Sequence, residues 1–276
     1  MPWHASLQLD YAFEQGRSIA RHRHSGPLRI LQSLYPEGDT VCHNVLVHPP
    51  GGLVGGDTLE LSVYVAAGSH GLLTTPGATR FYRAQEAPAR QITRLRLDEG
   101  ARLEWLPQET LCYSGCRAEN TLTMEIAPGA ELMGWDITAL GLPHAGLPFE
   151  TGYVQQHLQW PGVWLERARL AADDALLMQG RAGLAGLRCT ATLYLASGTP
   201  LGRAAKEAAL EAARALIAEH RLSATAGATS PNTQTVLVRV LSDQVEPTVQ
   251  LLRAIRMAWR QAHWQLSAAA PRIWAM

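Results

Sequence analysis

Two carboxylates lie within apolar, strand-like runs of this sequence. Asp136 comes near the end of one run, and Glu166 directly follows another. A carboxylate among apolar side chains is costly to bury unless it is paired, hydrated or functional. Two interpretations are open: an ion pair, for which Arg167 and Arg169 are nearby partners, or a hydrated interior path lined by both acids. From these residues alone the ion pair is favoured.

A glycine- and proline-rich run occupies residues 48–57, His-Pro-Pro-Gly-Gly-Leu-Val-Gly-Gly-Asp. Glycine serves where the backbone needs positive φ or close approach, and proline fixes φ. The run therefore predicts a tightly specified turn between strands. A partner-binding loop is the first alternative. A nucleotide loop is the weakest, because the run has no lysine and lacks the Gly-x-Gly-x-x-Gly order. The candidate residues of this loop are Gly51, Gly52, Gly55, Gly56 and Asp57.

Hydroxyl, cationic and aromatic side chains follow one another in residues 72–83. Thr74 and Thr75 precede a Pro-Gly turn, and Arg80 and Tyr82 come after it. Threonine hydroxyls often satisfy backbone groups in a capped turn. Arginine and tyrosine are also enriched at protein interfaces. Both interpretations stay open, with Thr75, Arg80 and Tyr82 as the candidate residues.

Potential metal ligands are scattered along the chain. Cys112 and Cys116 form a Cys-x3-Cys pair without a second pair close by, whereas a structural zinc site needs four clustered ligands. The other histidines and cysteines of this kind are His22, His24, Cys42 and His43. The pattern predicts no dedicated metal site, and transient passage of a metal stays open.

Composition excludes several classes of function. The formal net charge of +0 argues against nucleic acid or an anionic membrane as a partner. No apolar run is long enough for a transmembrane helix, and the first residues lack a signal-peptide pattern, so we expect a cytoplasmic protein with reduced cysteines. No nucleophile elbow, zinc-protease or kinase motif is present. The sequence therefore favours a non-enzyme; a small-molecule-binding enzyme that uses the glycine-rich turn is the alternative.

The elements that would position these residues are mostly strands. Gly68, Gly100 and Gly129 each separate two strand-like runs, and they are 32 and 29 residues apart. Strand pairs that recur at about 30 residues predict layers stacked as in a β-solenoid or a layered sandwich. A meander of hairpins would give a similar pattern.

The pattern changes near residue 200. Residues 203–220 and 246–263 have the spacing of helices, and residues 235–241 form a strand-like run between them. No linker separates these helices from the strands. We therefore predict a single domain over residues 1–276, mainly β, with a layered, solenoid-like body and two α-helices toward the C-terminus.

Motifs in order along almost the whole chain resemble one family. They are the run at 26–38, the glycine-rich run at 48–57, Thr-Pro-Gly-Ala-Thr-Arg-Phe-Tyr-Arg at 75–83, Glu-Trp-Leu-Pro-Gln-Glu at 104–109, Trp-Asp-Ile at 135–137, Gly-Leu-Pro at 141–143 and Pro-Arg-Ile-Trp at 271–274. In this combination the chain resembles the urease accessory protein UreD family, called UreH in some organisms.

The resemblance implies a non-catalytic scaffold that matures urease, the nickel enzyme that hydrolyses urea. It implies a β-rich solenoid-like fold with two helices and no tightly bound cofactor. The implied partners are a helical UreF-type accessory protein, a UreG-type GTPase recruited through it, and the urease structural subunits, with Ni²⁺ in transit. Asp136 and Glu166 match positions that resemble the family's proposed channel-lining acids. The loop at 48–57 and the segment at 75–83 would be shape-defining or partner-facing.

Overall fold

Strands form most of the structure, a computed structural model that describes residues 2–267 and 269–275. In chain order the strands are β1 His4–Glu14, β2 Arg17–Ser25, β3 Arg29–Ile30, β4 Cys42–Val47, β5 Thr58–Val65, β6 His70–Thr74, β7 Thr79–Phe81, β8 Ala89–Leu97, β9 Arg102–Leu106, β10 Thr110–Cys112, β11 Arg117–Ile126, β12 Glu131–Leu142, β13 Leu147–Pro148, β14 Tyr153–Trp160, β15 Trp164–Ala171, β16 Cys189–Ser197, β17 Ala226–Thr229 and β18 Thr235–Ser242. The α-helices are α1 Ala175–Gln179, α2 Arg203–Glu219 and α3 Val245–Trp259, and a π-helical turn, Arg260–Trp264, continues α3. The predicted mainly β body with two long helices near the C-terminus is confirmed, and the short α1 was not predicted.

The three sequence repeats are successive coils of a parallel solenoid. Gly68, Gly100 and Gly129 have φ values of 72°, 67° and 77°, which favour glycine at each turn. Strands β5, β8 and β11 before these glycines pair in parallel, and so do β6, β9 and β12 after them. Val65, for example, pairs with Leu97, its equivalent one coil later. The solenoid prediction is confirmed, because the repeat spacing is the length of one coil.

Two sheets enclose the main core. One has the strand order β15-β14-β11-β8-β5-β1-β2, and the other follows the path β17-β18-β16-β12-β9-β6-β4-β3, with β7, β10 and β13 joined to it. Along β5 the residues alternate between buried and half-buried, as one core-facing side requires. Leu7, Leu61 and Val63 are among the apolar side chains packed between the sheets. We call these the seven-stranded and the eleven-stranded sheet.

The two long helices cover the outer face of the eleven-stranded sheet. Ala213 of α2 and Leu252 and Ile255 of α3 pack in one buried cluster with Leu193 and Val238 of the sheet. Strand β16 and, except at Arg239, strand β18 are therefore largely buried on both faces, which explains their nearly continuous apolar runs. In the part of the chain that the structure describes, no helix is long and apolar enough to cross a bilayer.

A buried ionic cluster joins α3 to the β-body. Glu104 of β9, Arg256 of α3 and Arg260 of the π-helical turn are all fully buried. Arg256 Nε donates to Glu104 at 2.7 Å, and Arg260 donates to both Glu104 and Glu37. His70 Nε2 lies 3.3 Å from the Glu104 carboxylate. We call these five residues the Glu104 cluster. Because buried charges are costly unless paired, these contacts favour the observed position of α3 on the sheet.

The C-terminal segment 269–275 folds back over the same sheet. Arg256 Nη1 donates to the Ala269 carbonyl at 3.0 Å. The Trp274 ring packs on Trp135 with 5.4 Å between ring centroids, and its Nε1 donates to Thr74 Oγ1 at 2.9 Å. The segment is thus packed on the body through both hydrogen bonds and aromatic contacts.

Candidate functional site

Asp136 and Glu166 line one cavity between the two sheets. Its volume is about 500 Å³. The lining side chains come from β12, β14, β15, β16, β17, β18, α1 and the segment after α1; the polar ones among them are Asp136, Gln156, Glu166, Thr190, Thr192, Thr225 and Arg239. A neighbouring space of about 40 Å³ shares Asp136, Gln156, Glu166 and Thr192 and adds Asn120 and His157. We call the two together the acidic cavity.

Strand alternation directs Asp136 into this cavity. Its neighbour Trp135 packs outward in the cluster with the helices, so Asp136 points inward, because successive strand residues face opposite sides. The register of β12, β16 and β18 places Asp136, Thr192 and Arg239 in one row. Glu166 approaches from β15 of the facing sheet. Residues from both sheets are therefore needed to form the site.

Neutral groups surround the Asp136 carboxylate. Gln156 Nε2 and Thr138 Oγ1 donate to Oδ1 at 2.7 and 3.2 Å, and Asn120 Nδ2 donates to Oδ2 at 3.1 Å. Within the described residues, no arginine, lysine or histidine forms an ion pair with Asp136. The ion-pair interpretation is wrong for this residue.

Burial raises the pKa of Asp136 above its ordinary value. The hydrogen bonds from Thr138, Gln156 and Asn120 partly offset that rise, whereas the negative charge of Glu166 adds to it. The residue is half-buried and lines the cavity. Asp136 is thus a deep carboxylate that only hydrogen bonds stabilise, and it responds to the charge on Glu166.

Glu166 does form an ion pair, but with Arg239. The two guanidinium nitrogens Nη1 and Nη2 donate to Oε1 and Oε2 at 2.6 and 2.8 Å. This hydrogen bonding raises the pKa of Arg239. Arg167 and Arg169, the partners expected from the sequence, are one and three residues away on a strand and so face the opposite side of the sheet. Arg169 instead lies 4.0 Å over the Tyr153 ring.

Two buried polar atoms near the acidic cavity have hydrogen-bonding capacity that no described residue uses. One is His157 Nε2, which belongs to a residue that lines the smaller space. The other is Tyr194 Oη; burial and the negative charge of Asp136 raise the pKa of this hydroxyl. Buried polar atoms in native proteins nearly always have a partner, such as an ordered water or ion. His157, at the smaller space, is therefore placed to hydrogen-bond a small polar guest there.

The glycine-rich loop at 48–57 is closed by Asp57. This buried carboxylate accepts from Val54 N at 2.9 Å and from Trp3 N at 3.2 Å. Gly51 and Gly56 have φ values of 77° and 89°. The loop is a specified turn whose shape depends on these glycines and on the Asp57 carboxylate.

The backbone of this loop is engaged within the protein. Gly51 N donates to His48 O at 2.9 Å, Leu53 N to Arg80 O at 2.7 Å, and Gly56 N to Pro88 O at 3.1 Å. A phosphate-binding loop instead directs free N–H groups at its ligand. The geometry therefore weighs against the nucleotide interpretation.

The segment at 75–83 packs directly on the glycine-rich loop. The Tyr82 ring occupies the space that a side chain at Gly52 would need, since a Cβ built at Gly52 would overlap Tyr82 Cε2. Arg80 Nη1 donates to Gly51 O at 3.4 Å, and Thr75 Oγ1 accepts from Gln108 N at 2.9 Å. A cavity of about 200 Å³ lies between loop and segment. The candidate loop residues thus form one cluster, separate from the lining of the acidic cavity.

Comparison with known proteins assigns this architecture to a family. Residues 4–275 match the UreD urease accessory protein family. The chain belongs to the UreD family. Proteins named urease accessory protein UreD from Polaromonas sp. strain JS666 and Variovorax paradoxus strain S110 are each 62% identical to it, over 276 and 275 residues, with 100% of both chains covered. The one from Methylibium petroleiphilum is 48% identical over 294 residues, with 99% of both chains covered.

The close packing of the glycine-rich loop in this UreD-family chain gives a testable prediction. A Cβ at Gly55 would lie 2.7 Å from Ala87 O and 3.0 Å from Ala84 Cβ. We expect Gly55→Ala to lower the free energy of unfolding by about 1–3 kcal/mol, as overpacking does. Gly77→Ala is the control, because its Cβ would meet nothing within 4 Å. Equal melting temperatures for the two variants would contradict the packing argument.

The cysteines of this UreD-family chain are buried free thiols. A hydrogen bond with Cys116, burial and the Asp136 charge raise the pKa of Cys112, and burial raises the pKa of Cys189 to about 11. Thiols held protonated are poor metal ligands, since the thiolate is the binding form. Among the described residues, no three or more histidine, cysteine, aspartate or glutamate side chains form a group that could hold a metal ion.

Three contributors to the acidic cavity were missed from sequence: Arg239, Gln156 and Asn120. Arg239 carried a signal, because it is a single charge within the apolar run at 235–241. A charged side chain within an apolar strand is the same signal that identified Asp136 and Glu166. Gln156 and Asn120 are ordinary polar residues of strands and carried none.

Proposed function

We propose that this chain is a non-catalytic urease maturation factor and that the acidic cavity is part of the route by which Ni²⁺ reaches apo-urease. The observation that carries the proposal is Asp136, a deep carboxylate that faces a cavity of about 500 Å³ and has only neutral hydrogen-bond donors. Membership of the urease accessory protein family supports the maturation role.

The chemistry of the cavity suits a cation in passage. Its donors are the carboxylates of Asp136 and Glu166, the amide oxygens of Gln156 and Asn120, and the hydroxyl of Thr192. Oxygen ligands bind Ni²⁺ more weakly than thiolates or a set of imidazoles, so the ion can exchange from one group to the next. A cation that binds Asp136 also favours its ionised form and so offsets the cost of burying that charge.

The proposed partners follow from the family resemblance. They are a helical UreF-type accessory protein, a UreG-type GTPase recruited through it, and the urease structural subunits. In this proposal the chain holds no nickel tightly, and the metal is cargo that it passes on. The loop cluster formed by residues 48–57 and 75–83 is proposed to support the shape of the scaffold.

The decisive experiment is co-expression of urease subunits and the other accessory proteins with and without this chain. We expect urease purified without it to contain little nickel and to have little activity. Bound nickel is measured by mass spectrometry and activity by ammonia release. Fully loaded urease in the absence of this chain would refute the proposal.

A further inference from the structure

We propose that the Arg239 guanidinium is an internal counter-cation of the acidic cavity, which a divalent cation displaces from Glu166 as it passes. The inference rests on the proposed function, because it adds a control element to the same cavity. It comes from the position of one ion pair relative to the two sheets and to Asp136.

The ion pair spans the cavity at its solvent side. Glu166 belongs to β15 of the seven-stranded sheet, and Arg239 belongs to β18 of the eleven-stranded sheet. Both guanidinium–carboxylate contacts are short, at 2.6 and 2.8 Å. The Arg239 side chain is 51% exposed and that of Glu166 29%. The pair is therefore partly open to solvent, and the guanidinium occupies both oxygens of the carboxylate.

The pair changes the charge that an entering cation meets. While Arg239 binds Glu166, that pair is neutral, and Asp136 is left as the only unpaired carboxylate of the cavity lining described by the structure. Without Arg239, two carboxylates of the same cavity would face the ion. Divalent cations bind more tightly as the number of carboxylate ligands rises. Arg239 thus keeps the affinity of the cavity low enough for the ion to leave.

Moving Arg239 does not require the sheets to separate. Asn232 Nδ2 donates to Val163 O at 3.1 Å, which is a second link between the two sheets on this side. The β-body is also closed by the coils of the solenoid on the other side of the cavity. A variant without the Arg239 charge is therefore expected to keep the fold.

The test is calorimetric titration of the full-length chain with NiCl₂. We expect Arg239→Gln to tighten Ni²⁺ binding about tenfold, the effect of removing one positive charge near a divalent ion in a partly hydrated site. Arg239→Lys keeps the charge and should stay close to the wild-type affinity. Arg90→Gln is the matched control. Arg90 binds Glu119 at 2.8 Å, and the two side chains are 46% and 30% exposed, much like Arg239 and Glu166, but neither lines the cavity.

A second measurement separates this inference from the proposed function. At limiting nickel, Arg239→Gln should lower the nickel content of co-expressed urease, because the ion is held longer. Unchanged Ni²⁺ affinity in Arg239→Gln would overturn the inference and leave the pair as a link between sheets. Tighter binding in that variant, together with urease that loads without this chain, would uphold the counter-cation and reject the maturation role. If the glutamine variant unfolds, Arg239→Met, which keeps the apolar part of the side chain, takes its place.

Discussion

Replacing Glu104 with alanine is expected to lower the free energy of unfolding by about 3–5 kcal/mol, the cost of leaving buried charges without their partner. Arg256 and Arg260 are both fully buried and both donate to this carboxylate. Without it, two guanidinium groups share the interior with Glu37 alone. We expect the melting temperature to fall sharply in thermal unfolding followed by circular dichroism.

The control for this variant is Glu119→Ala. Glu119 also binds an arginine, Arg90, but both side chains are solvent-accessible. Exposed pairs contribute about 0–1 kcal/mol, so this variant should unfold near the wild-type temperature. A similar small effect at Glu104 would mean that the cluster does not stabilise the contact between α3 and the β-body.

The pH dependence of stability provides an independent check on Glu104. Burial opposes its ionisation, but Arg256, the hydrogen bond from His70, and Arg260 together outweigh burial and lower the pKa to about 2. Because the unfolded carboxyl group has the ordinary value of 4.5, the unfolded state binds more protons between these two values. The stability that Glu104 contributes is complete above pH 4.5 and is lost as pH falls toward 2. The difference in the free energy of unfolding between wild type and Glu104→Ala should become smaller as pH falls over the same range.

The coiled β-body could be predicted from sequence because its signals are local. Gly68, Gly100 and Gly129 mark equivalent corners of three coils, and each needs the positive φ that glycine allows. The alternation in β5 and the helical spacing of α3 lie within single elements. Each of these features is visible within one element or as a repeat from one coil to the next.

The Glu104 cluster could not be assembled in the same way. Glu104 and Arg256 are 152 residues apart, and Arg260 and Glu37 are 223 apart. Glu104 lies in an apolar run, which is the signal that identified Asp136. However, no residue near it in the sequence indicates which side chain is its partner. The same distance problem applies to Glu166, whose arginine is 73 residues away on another sheet. Sequence therefore indicates which charges need partners, and only the fold supplies them.

Replacing Asp136 with asparagine is expected to separate stability from function. If the proposed function is correct, the variant should reduce urease activation at limiting nickel by about tenfold or more. This is on the order of the loss in metal affinity or activity when one group that supports a metal site is removed. Asparagine has the same shape, and its oxygen can still accept from Gln156 and Thr138. The Asn120 amide can turn over to present its oxygen to the new NH₂ group. The measurement is urease activity and bound nickel after co-expression.

The same variant should unfold at an equal or higher temperature than wild type. Burial raises the pKa of Asp136 above its ordinary value of 3.8, so the folded state binds more protons than the unfolded state as pH rises from that value through the folded pKa. Any stability associated with Asp136 is thus complete below pH 3.8 and is lost as pH rises, and the carboxylate opposes folding at neutral pH. The difference by which the free energy of unfolding of Asp136→Asn exceeds that of wild type should therefore grow as pH rises.

Asp10→Asn distinguishes a cavity effect from a general effect of losing a carboxylate. Asp10 also accepts from a glutamine amide, Gln8 Nε2 at 3.0 Å, but it lies on β1 away from the acidic cavity. Its variant should activate urease normally. If Asp136→Asn also activates urease normally at limiting nickel, the route does not pass Asp136. If it fails while its melting temperature is maintained, the charge of this carboxylate has a role in nickel transfer that folding does not explain.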